Sequence, residues 1–463
     1  MPNYFAYAVL LLWPVMAIFI ASKFKASQAA VLLLLIPYLL LPLKTTIPLP
    51  LIDLSKENVP PLVAFFLLFR RHHNFRFLPT SNVGKLFVIL LWLAPILTTL
   101  ANGDTLYYGA VVKRGIPLTD TPGMLIAVFV TLIPFLIGFN FLSDEQSHKD
   151  LLKYLVIAGL IYSIPILWEI KMSPRLHSII YGVFPHDWRQ QIRQGGFRPV
   201  VFLGHGLYVA AFMLLSVISA SVLWKQKEKP VDKTGVLIPL YLLAIVVLSK
   251  SLSVLIYAVI AAWAIFFLGK MRRIQLIFMI ALFVFIFPMV RSLDLIPTEK
   301  LTGWISQYSE ERAGSLQYRF DNEDMLLAKA NERPLFGWGS YGRNRVFDPY
   351  TGRDISTTDG TWILFFGKQG WVGYIAFFGL LCYPIFAMYR VAKRGGYISP
   401  FSIGIGIALS LNLLDLIPNS SLSHLTLLMT GALLGYVEAN RKRSQHGNKT
   451  GADQLSASNS SPS

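Results

Sequence analysis

Residues 299–360 read EKLTGWISQYSEERAGSLQYRFDNEDMLLAKANERPLFGWGSYGRNRVFDPYTGRDISTTDG. This run follows an apolar segment, Ile274–Pro288, and precedes another, Trp371–Met388. A polar insertion of this size between two membrane-grade segments fixes the class of the chain. It is a polytopic membrane protein whose polar mass sits outside the spans, in a loop from Ser292 to Gly360. The reading of the whole sequence works outward from that contrast.

Apolar residues make up 54% of the 463 residues and charged residues only 14%, against about one quarter charged in a soluble globular chain. A spanning helix needs roughly 20 apolar residues to cross a hydrocarbon core about 30 Å thick. Apolar runs near that length recur along the chain, at 4–20, 29–43, 59–69, 86–100, 124–142, 154–168, 205–224, 236–248, 254–268, 274–290, 371–388, 398–414 and 422–437. The fold class expected is therefore all-α, with 12–13 transmembrane helices. The domains expected are an N-terminal bundle 1–291 with a polar loop 169–203, the large loop 292–360, C-terminal helices 361–440, and a cytoplasmic tail 441–463 without fixed structure. The first segment lacks a basic n-region and reads as a retained span rather than a cleaved leader. The single cysteine, Cys382, has no partner within the chain, so no disulfide framework or cysteine metal site is available.

The net charge of +17 invites a nucleic-acid reading, which its distribution rejects. The excess lies in short loops at Lys23, Arg70, Lys149, Lys225, Arg272, Arg390 and Arg441. If every span crosses, these share one side, which is then cytoplasmic. Both long polar loops fall on the opposite side with the N-terminus, and the C-terminus is cytoplasmic. The partners expected are the lipid bilayer and a lipid-attached substrate, with no nucleic acid.

Within the large loop an amphipathic helix is expected over Leu316–Ala330, with Met325, Leu326 and Leu327 on its buried side. Arg333-Pro334-Leu335-Phe336-Gly337-Trp338-Gly339 ends it, because proline and glycine do not continue a helix. On the outer face Arg198, Arg319, Arg343, Arg345 and Arg353 exceed what the positive-inside trend allows. Arginine suits bidentate contact with phosphate or carboxylate, and the interleaved rings of Trp338, Tyr341, Phe347 and Tyr350 suit stacking on sugars. Together they point to an anionic, lipid-attached glycan. The plainer reading is that these arginines pair with nearby acids or lipid headgroups.

Three stretches resemble the O-antigen ligase/polymerase superfamily of bacterial envelope glycan enzymes. One is Ser315–Gly339, where an arginine-bearing helix leads into the Pro-Leu-Phe-Gly-Trp-Gly turn. Another is Asp359-Gly360, nine residues, then Gly370-Trp371-Val372-Gly373. A third is Arg198-Pro199-Val200-Val201-Phe202-Leu203-Gly204-His205-Gly206. Ser249-Lys250-Ser251 is similar to a Ser-Arg turn of the same family, with lysine for arginine. The layout of many spans and one dominant loop covers most of the chain; the motifs cover far less.

The resemblance implies a GT-C-like membrane fold in the bacterial inner membrane. It implies a polymerase that transfers a growing glycan from undecaprenyl pyrophosphate onto another lipid-linked repeat unit, in exopolysaccharide or O-antigen synthesis. It implies a metal-independent glycosyltransferase without a cofactor, with chain-length-control and export proteins as the partner class. Asp359 stands where the family has histidine, which leans away from lipid A ligation. In this reading Asp359 is the base, and Arg319, Arg198 and Lys250 neutralise the leaving pyrophosphate. Arg343, Arg345, Trp338 and His205 are further substrate contacts. The plainer reading makes Asp359 a cap for a helix opening at Thr361 and His205 a helix-start residue. A ligase to another acceptor, a flippase for the lipid-linked repeat, and a scaffold with a partner-binding loop are the rival classes. The flippase is disfavoured because the spans hold almost no internal charge.

Overall fold

The computed structural model describes residues 1–72, 74–193 and 195–458. Its helices, in chain order, are α1 (Tyr4–Lys23), α2 (Ala26–Leu40), α3 (Val59–Phe69), α4 (Asn82–Leu100), α5 (Thr121–Phe141), α6 (Glu145–Met172), α7 (Leu176–Tyr181) and α8 (Gly206–Lys225). They continue with α9 (Leu237–Leu248), α10 (Leu252–Phe267), α11 (Lys270–Ser292), α12 (Thr298–Ser306), α13 (Glu310–Asn331), α14 (Thr361–Lys393), α15 (Pro400–Asp415) and α16 (His424–Ser458). Every apolar run of the sequence is a helix. Among the described residues, seven helices are long and apolar enough to cross a membrane, and five more are apolar but shorter. α16 extends beyond residue 441, into the stretch expected to lack fixed structure; residues 459–463 of that tail lie outside those described.

The bundle is layered by exposure. Four-fifths of the most apolar window of α8 is buried (83%), against one-third (33%) for α1 and α11. α8 is therefore central, and α1 turns Leu11, Leu12, Val15, Ile18 and Phe19 outward, an arrangement only lipid makes favourable. α5 and α16 pack through small residues. A Cβ on Gly431 or Gly435 would meet the backbone of Phe135 or Phe139, and one on Gly138 would meet that of Leu428. This Gly-Ala-Leu-Leu-Gly spacing is the small-xxx-small pattern that lets membrane helices approach at the backbone.

The polar loops between α2 and α3, α4 and α5, α6 and α8, α11 and α14, and α15 and α16 meet on one face. Tyr181 Oη donates to the Leu40 carbonyl (2.7 Å) and Lys56 Nζ to the Phe202 carbonyl (2.7 Å). The Asn3 amide nitrogen donates to the Tyr181 carbonyl (3.0 Å), so the N-terminus lies on this face too. Two small antiparallel hairpins stiffen it. One pairs β1 (Leu106–Tyr108) with β2 (Val111–Lys113) in the register Tyr107 to Val112. The other pairs β3 (Ile192–Arg193) with β4 (Gly196–Phe197).

The expected loop helix is present and longer than expected, as α13, with Leu326 and Leu327 buried and Met325 partly so. The last long span differs more. Instead of starting at Trp371, α14 opens at Thr361 and is broken at Gly370 (φ 61°, ψ −161°). The break frees backbone groups that the turn after α13 completes. Trp338 N donates to the Gly367 carbonyl (2.9 Å), Gly339 N to that of Lys368 (2.8 Å), and Trp371 N to that of Pro334 (2.7 Å). Gly337 and Gly370 both have positive φ, and a Cβ on either would strike the other segment's backbone. Two motifs that stand 30 residues apart in sequence are thus one interlocked joint, which explains why both are glycine-rich.

Candidate functional site

α13 is stitched at helical spacing to the chain that opens α14. Tyr318 Oη shares a hydrogen bond with Thr357 Oγ1 (2.8 Å), and Thr357 N donates to Asn322 Oδ1 (2.7 Å). Trp362 Nε1 donates to Glu323 Oε1 (3.4 Å). Residues 318, 319, 322 and 323 of one helix face therefore meet residues 357–362 in turn. Between these stitches Arg319 Nε faces Asp359 Oδ2 at 3.8 Å, and both side chains are about one-third to two-fifths exposed (33% and 42%). The two residues singled out from sequence as the centre of the chemistry come together.

Glu323 anchors the arrangement. It lies 3.5 Å from the Nε of Arg291, at the end of α11, whose side chain is almost wholly buried; Arg291 also meets Asp324 at 2.7 Å. Burial raises the Glu323 carboxyl, and the Arg291 guanidinium opposes that rise. One ion-pair cluster thus ties α11, α13 and α14 together just behind the Arg319–Asp359 pair.

The other wall comes from the α15–α16 connection and α8. Arg319 Nη1 donates to the Pro418 carbonyl (3.3 Å). Ser420 Oγ donates to the Asp359 carbonyl (2.6 Å), and Tyr208 Oη donates to the Ser420 carbonyl (3.1 Å). Asp415, 2% exposed, accepts from Asn419 Nδ2 and Ser421 Oγ, both at 2.8 Å, and lies within electrostatic reach of Arg319. Asp359 does not cap α14: the cap residue is Gly360, and no side chain closes that end. Thr361 N instead donates to the Leu416 carbonyl (2.9 Å).

Arg198, Lys250 and His205 form a second group that reaches the first along the start of α8. Arg198 Nη2 donates to the Lys250 carbonyl (3.0 Å), and a Cβ on Gly206 would collide with the Arg198 side chain. Glu169 places this turn by accepting from Val200 N (2.7 Å) and Val201 N (2.8 Å). His205 is the N-cap of α8, its Nδ1 accepting from Leu207 N (3.0 Å), which is its helix-start role; its ring also lies 4.8 Å from that of His186.

Arg343, Arg345 and Trp338 are placed differently from the expectation. Arg343 is fully buried, and its guanidinium donates to the carbonyls of Trp338, Asp104 and Arg114 and to the Asp104 carboxylate (3.0 Å). Arg333 meets the other oxygen of Asp104 at 2.7 Å. The hydrogen bond from Arg333, with the charges of both arginines, holds the Asp104 carboxyl below its usual range. Arg345 is paired with Asp354. The Trp338 ring is buried under Lys329 Nζ (3.6 Å from its centroid) and Arg333 (4.2 Å), and its Nε1 donates to the Lys329 carbonyl. Arg343 and Trp338 are thus engaged inside the loop, while Arg345 keeps 43% of its side chain exposed beside its Asp354 partner. An arginine and an aspartate far apart in sequence give no pattern that reveals such pairing.

Asp415, Tyr208 and Glu323 escaped the sequence reading as site residues. Asp415 had one signal, an ionisable residue ending an otherwise apolar helix; Tyr208 sits in an apolar run and had none. Among the described residues, no three His, Cys, Asp or Glu side chains group as a metal site requires.

The fold and its loop face define a multi-pass membrane protein with a charged site at one membrane border. Residues 237–378 match the family model described as O-antigen ligase, which supports the O-antigen ligase/polymerase superfamily and its type of activity on polysaccharides. The matched range holds Lys250, all of α13, the interlocked glycine joint and Asp359, and stops short of Arg198. No curated protein matches the chain.

Proposed function

We propose that this protein polymerises lipid-linked oligosaccharide repeat units on the outer face of the bacterial inner membrane. The N-terminus is then external and the C-terminus cytoplasmic. The donor is a glycan on undecaprenyl pyrophosphate and the acceptor a second lipid-linked repeat, in exopolysaccharide or O-antigen synthesis. The observation that supports this reading is the half-exposed Arg319–Asp359 pair beside a buried carboxylate, at the border where a lipid-anchored headgroup arrives.

In this mechanism Asp359 accepts the proton of the acceptor hydroxyl while the hydroxyl oxygen bonds to the donor's anomeric carbon. The bond from that carbon to the phosphate oxygen breaks, and its electron pair leaves with the lipid pyrophosphate. Arg319 lies close enough to exchange its carboxylate partner for the departing phosphate, with Arg198 and Lys250 supplying further positive charge. Positioned cations act most strongly where charge develops in a site shielded from water. Asp415, through Asn419 and Ser421, braces the α15–α16 connection whose Pro418 carbonyl accepts from Arg319. Arg343 and Trp338 have no part in this step, because their polar groups are already engaged inside the loop.

The test replaces Arg319 and Asp359 separately by alanine in the native host. Polymer, lipid-linked repeats and protein abundance are then measured together. The expected result is normal abundance, loss of polymer and accumulation of single repeats outside. Unchanged polymer removes both residues from the mechanism, and accumulation on the cytoplasmic side means that the protein is a flippase. The match to the O-antigen ligase family favours a ligase as the second reading; glycan missing from a non-glycan acceptor, with polymer length normal, would establish it.

A further inference from the structure

Two adjoining cavities of about 370 and 210 Å³ open on the loop face next to Tyr208 and Ser420. They share Tyr38, Lys56, Glu57, Leu422 and Ser423 as a common wall. Ser420 hydrogen-bonds to the backbone of Asp359, and Tyr208 to Ser420, so the larger cavity is one residue removed from the proposed base.

The lining selects a class of ligand. Lys56 is 6% exposed, lines both cavities and donates one hydrogen bond to the Phe202 carbonyl (2.7 Å) out of the three an ammonium can make. Glu57, its chain neighbour, supplies carboxylate acceptors, and Lys44 adds a second amine at the rim. A donor beside an acceptor is the arrangement that meets vicinal hydroxyls, each of which donates once and accepts. Tyr38, Tyr208 and His186 give ring surface for the apolar side of a sugar. Burial lowers the Lys56 amine to about 7 and Glu57 offsets the charge that remains, so beyond Lys44 at the rim the lining offers a pyrophosphate little excess positive charge.

We infer that this double cavity is the acceptor subsite, holding the terminal sugar of the incoming repeat by its hydroxyls between Lys56, Glu57 and the serines of 420–423. The inference rests on the polymerase reading for the word acceptor, while its claim about sugar binding is testable alone. It places the recognised hydroxyl next to Asp359 through Tyr208 and Ser420, and leaves the lipid pyrophosphate to Arg319, Arg198 and Lys250.

The experiment uses the full chain in lipid nanodiscs and two probes. One is the oligosaccharide released by mild acid from the host's own lipid-linked repeats; the other is undecaprenyl pyrophosphate. Glu57→Gln and Lys44→Gln alter exposed side chains and keep the fold; Lys56→Gln is the stronger but buried change. The expected result is a Kd for the oligosaccharide raised tenfold or more by Glu57→Gln and Lys56→Gln, and less by Lys44→Gln, with undecaprenyl pyrophosphate binding unchanged. No oligosaccharide binding by the unaltered protein, unchanged binding in all three variants, or a loss confined to undecaprenyl pyrophosphate overturns the inference. If the variants lose the oligosaccharide while Asp359→Ala still makes polymer, the sugar pocket stands and the polymerase mechanism falls.

Discussion

The large loop holds two kinds of arginine, and their surroundings differ sharply. Arg343 is buried, and its guanidinium is hydrogen-bonded on several sides to carbonyls and to Asp104. Arg319, on α13, keeps a third of its side chain exposed and faces its carboxylate at 3.8 Å, with one longer bond to a carbonyl. A guanidinium has five N–H donors. Where the fold satisfies them the residue is a staple; where it leaves them loosely partnered, an incoming oxyanion competes. Exposure and distance, rather than residue type, separate the arginine that builds the loop from the one poised at its edge.

The strongest way to break this comparison is to delete each arginine in turn. Arg319→Ala or Asp359→Asn is expected to lower polymer formation by about 10²–10³-fold, the range for a lost charge-stabilising donor or a lost base, with unchanged protein abundance by immunoblot. Arg343→Ala is expected to do the reverse. It strands the buried carbonyls that Arg343 satisfies, at a cost of roughly 1–3 kcal/mol each, read as a lower unfolding temperature in detergent and lost abundance. A soluble, stable Arg343→Ala protein without activity would move Arg343 from the fold to the site.

Glu323→Gln sharpens the comparison from the positioning side. The amide keeps an acceptor for Trp362 Nε1 but removes the charge that faces Arg291. α13 then loses part of its register against α14. The expected effect is about a tenfold fall in turnover with little change in apparent substrate affinity, since misplacement by an ångström weakens the reaction more than binding. Glu323→Asp failing to restore any activity, with Glu323→Gln fully active, would show that the cluster does not position Arg319.

The smallest effect is with pH. The Asp104 carboxyl lies below its usual range because Arg333 and Arg343 favour its charged form. Its contribution is therefore present above the ordinary carboxylate value and is lost as pH falls through the lowered one. Protease cleavage within 333–359 is expected to be flat from neutral pH down to about 5 and to rise below about 4, near the ordinary carboxylate value. Asp104→Asn should show the higher cleavage at every pH.

Much of the molecule was legible beforehand for reasons that are local. A bilayer requires apolar helices of a set length, so composition along the chain located every membrane-grade segment. The amphipathic spacing of 316–330 located the loop helix, and Pro334 and Gly337 marked its end. The kink at Gly370 was not legible as such, because a glycine among apolar residues reads the same whether the helix bends or runs on. The role of the glycine turn at 334–339 was hidden for the same reason: its partner is the kink.

By itself the sequence determined that this chain is an all-helical membrane protein with its polar residues gathered in loops between the spans, and that Arg319 and Asp359 belong to one motif-bearing region. Only the tertiary structure decided which charges meet. Helix length and hydropathy depend on nearest neighbours in the chain, whereas an ion pair depends on where separate segments come to rest. The contacts of Tyr318, Asn322 and Glu323 with residues 357–362, and of Asp359 with the α15–α16 connection, set that placement. The same packing took Arg343 and Trp338 into the interior of the loop and left Arg319 at its edge.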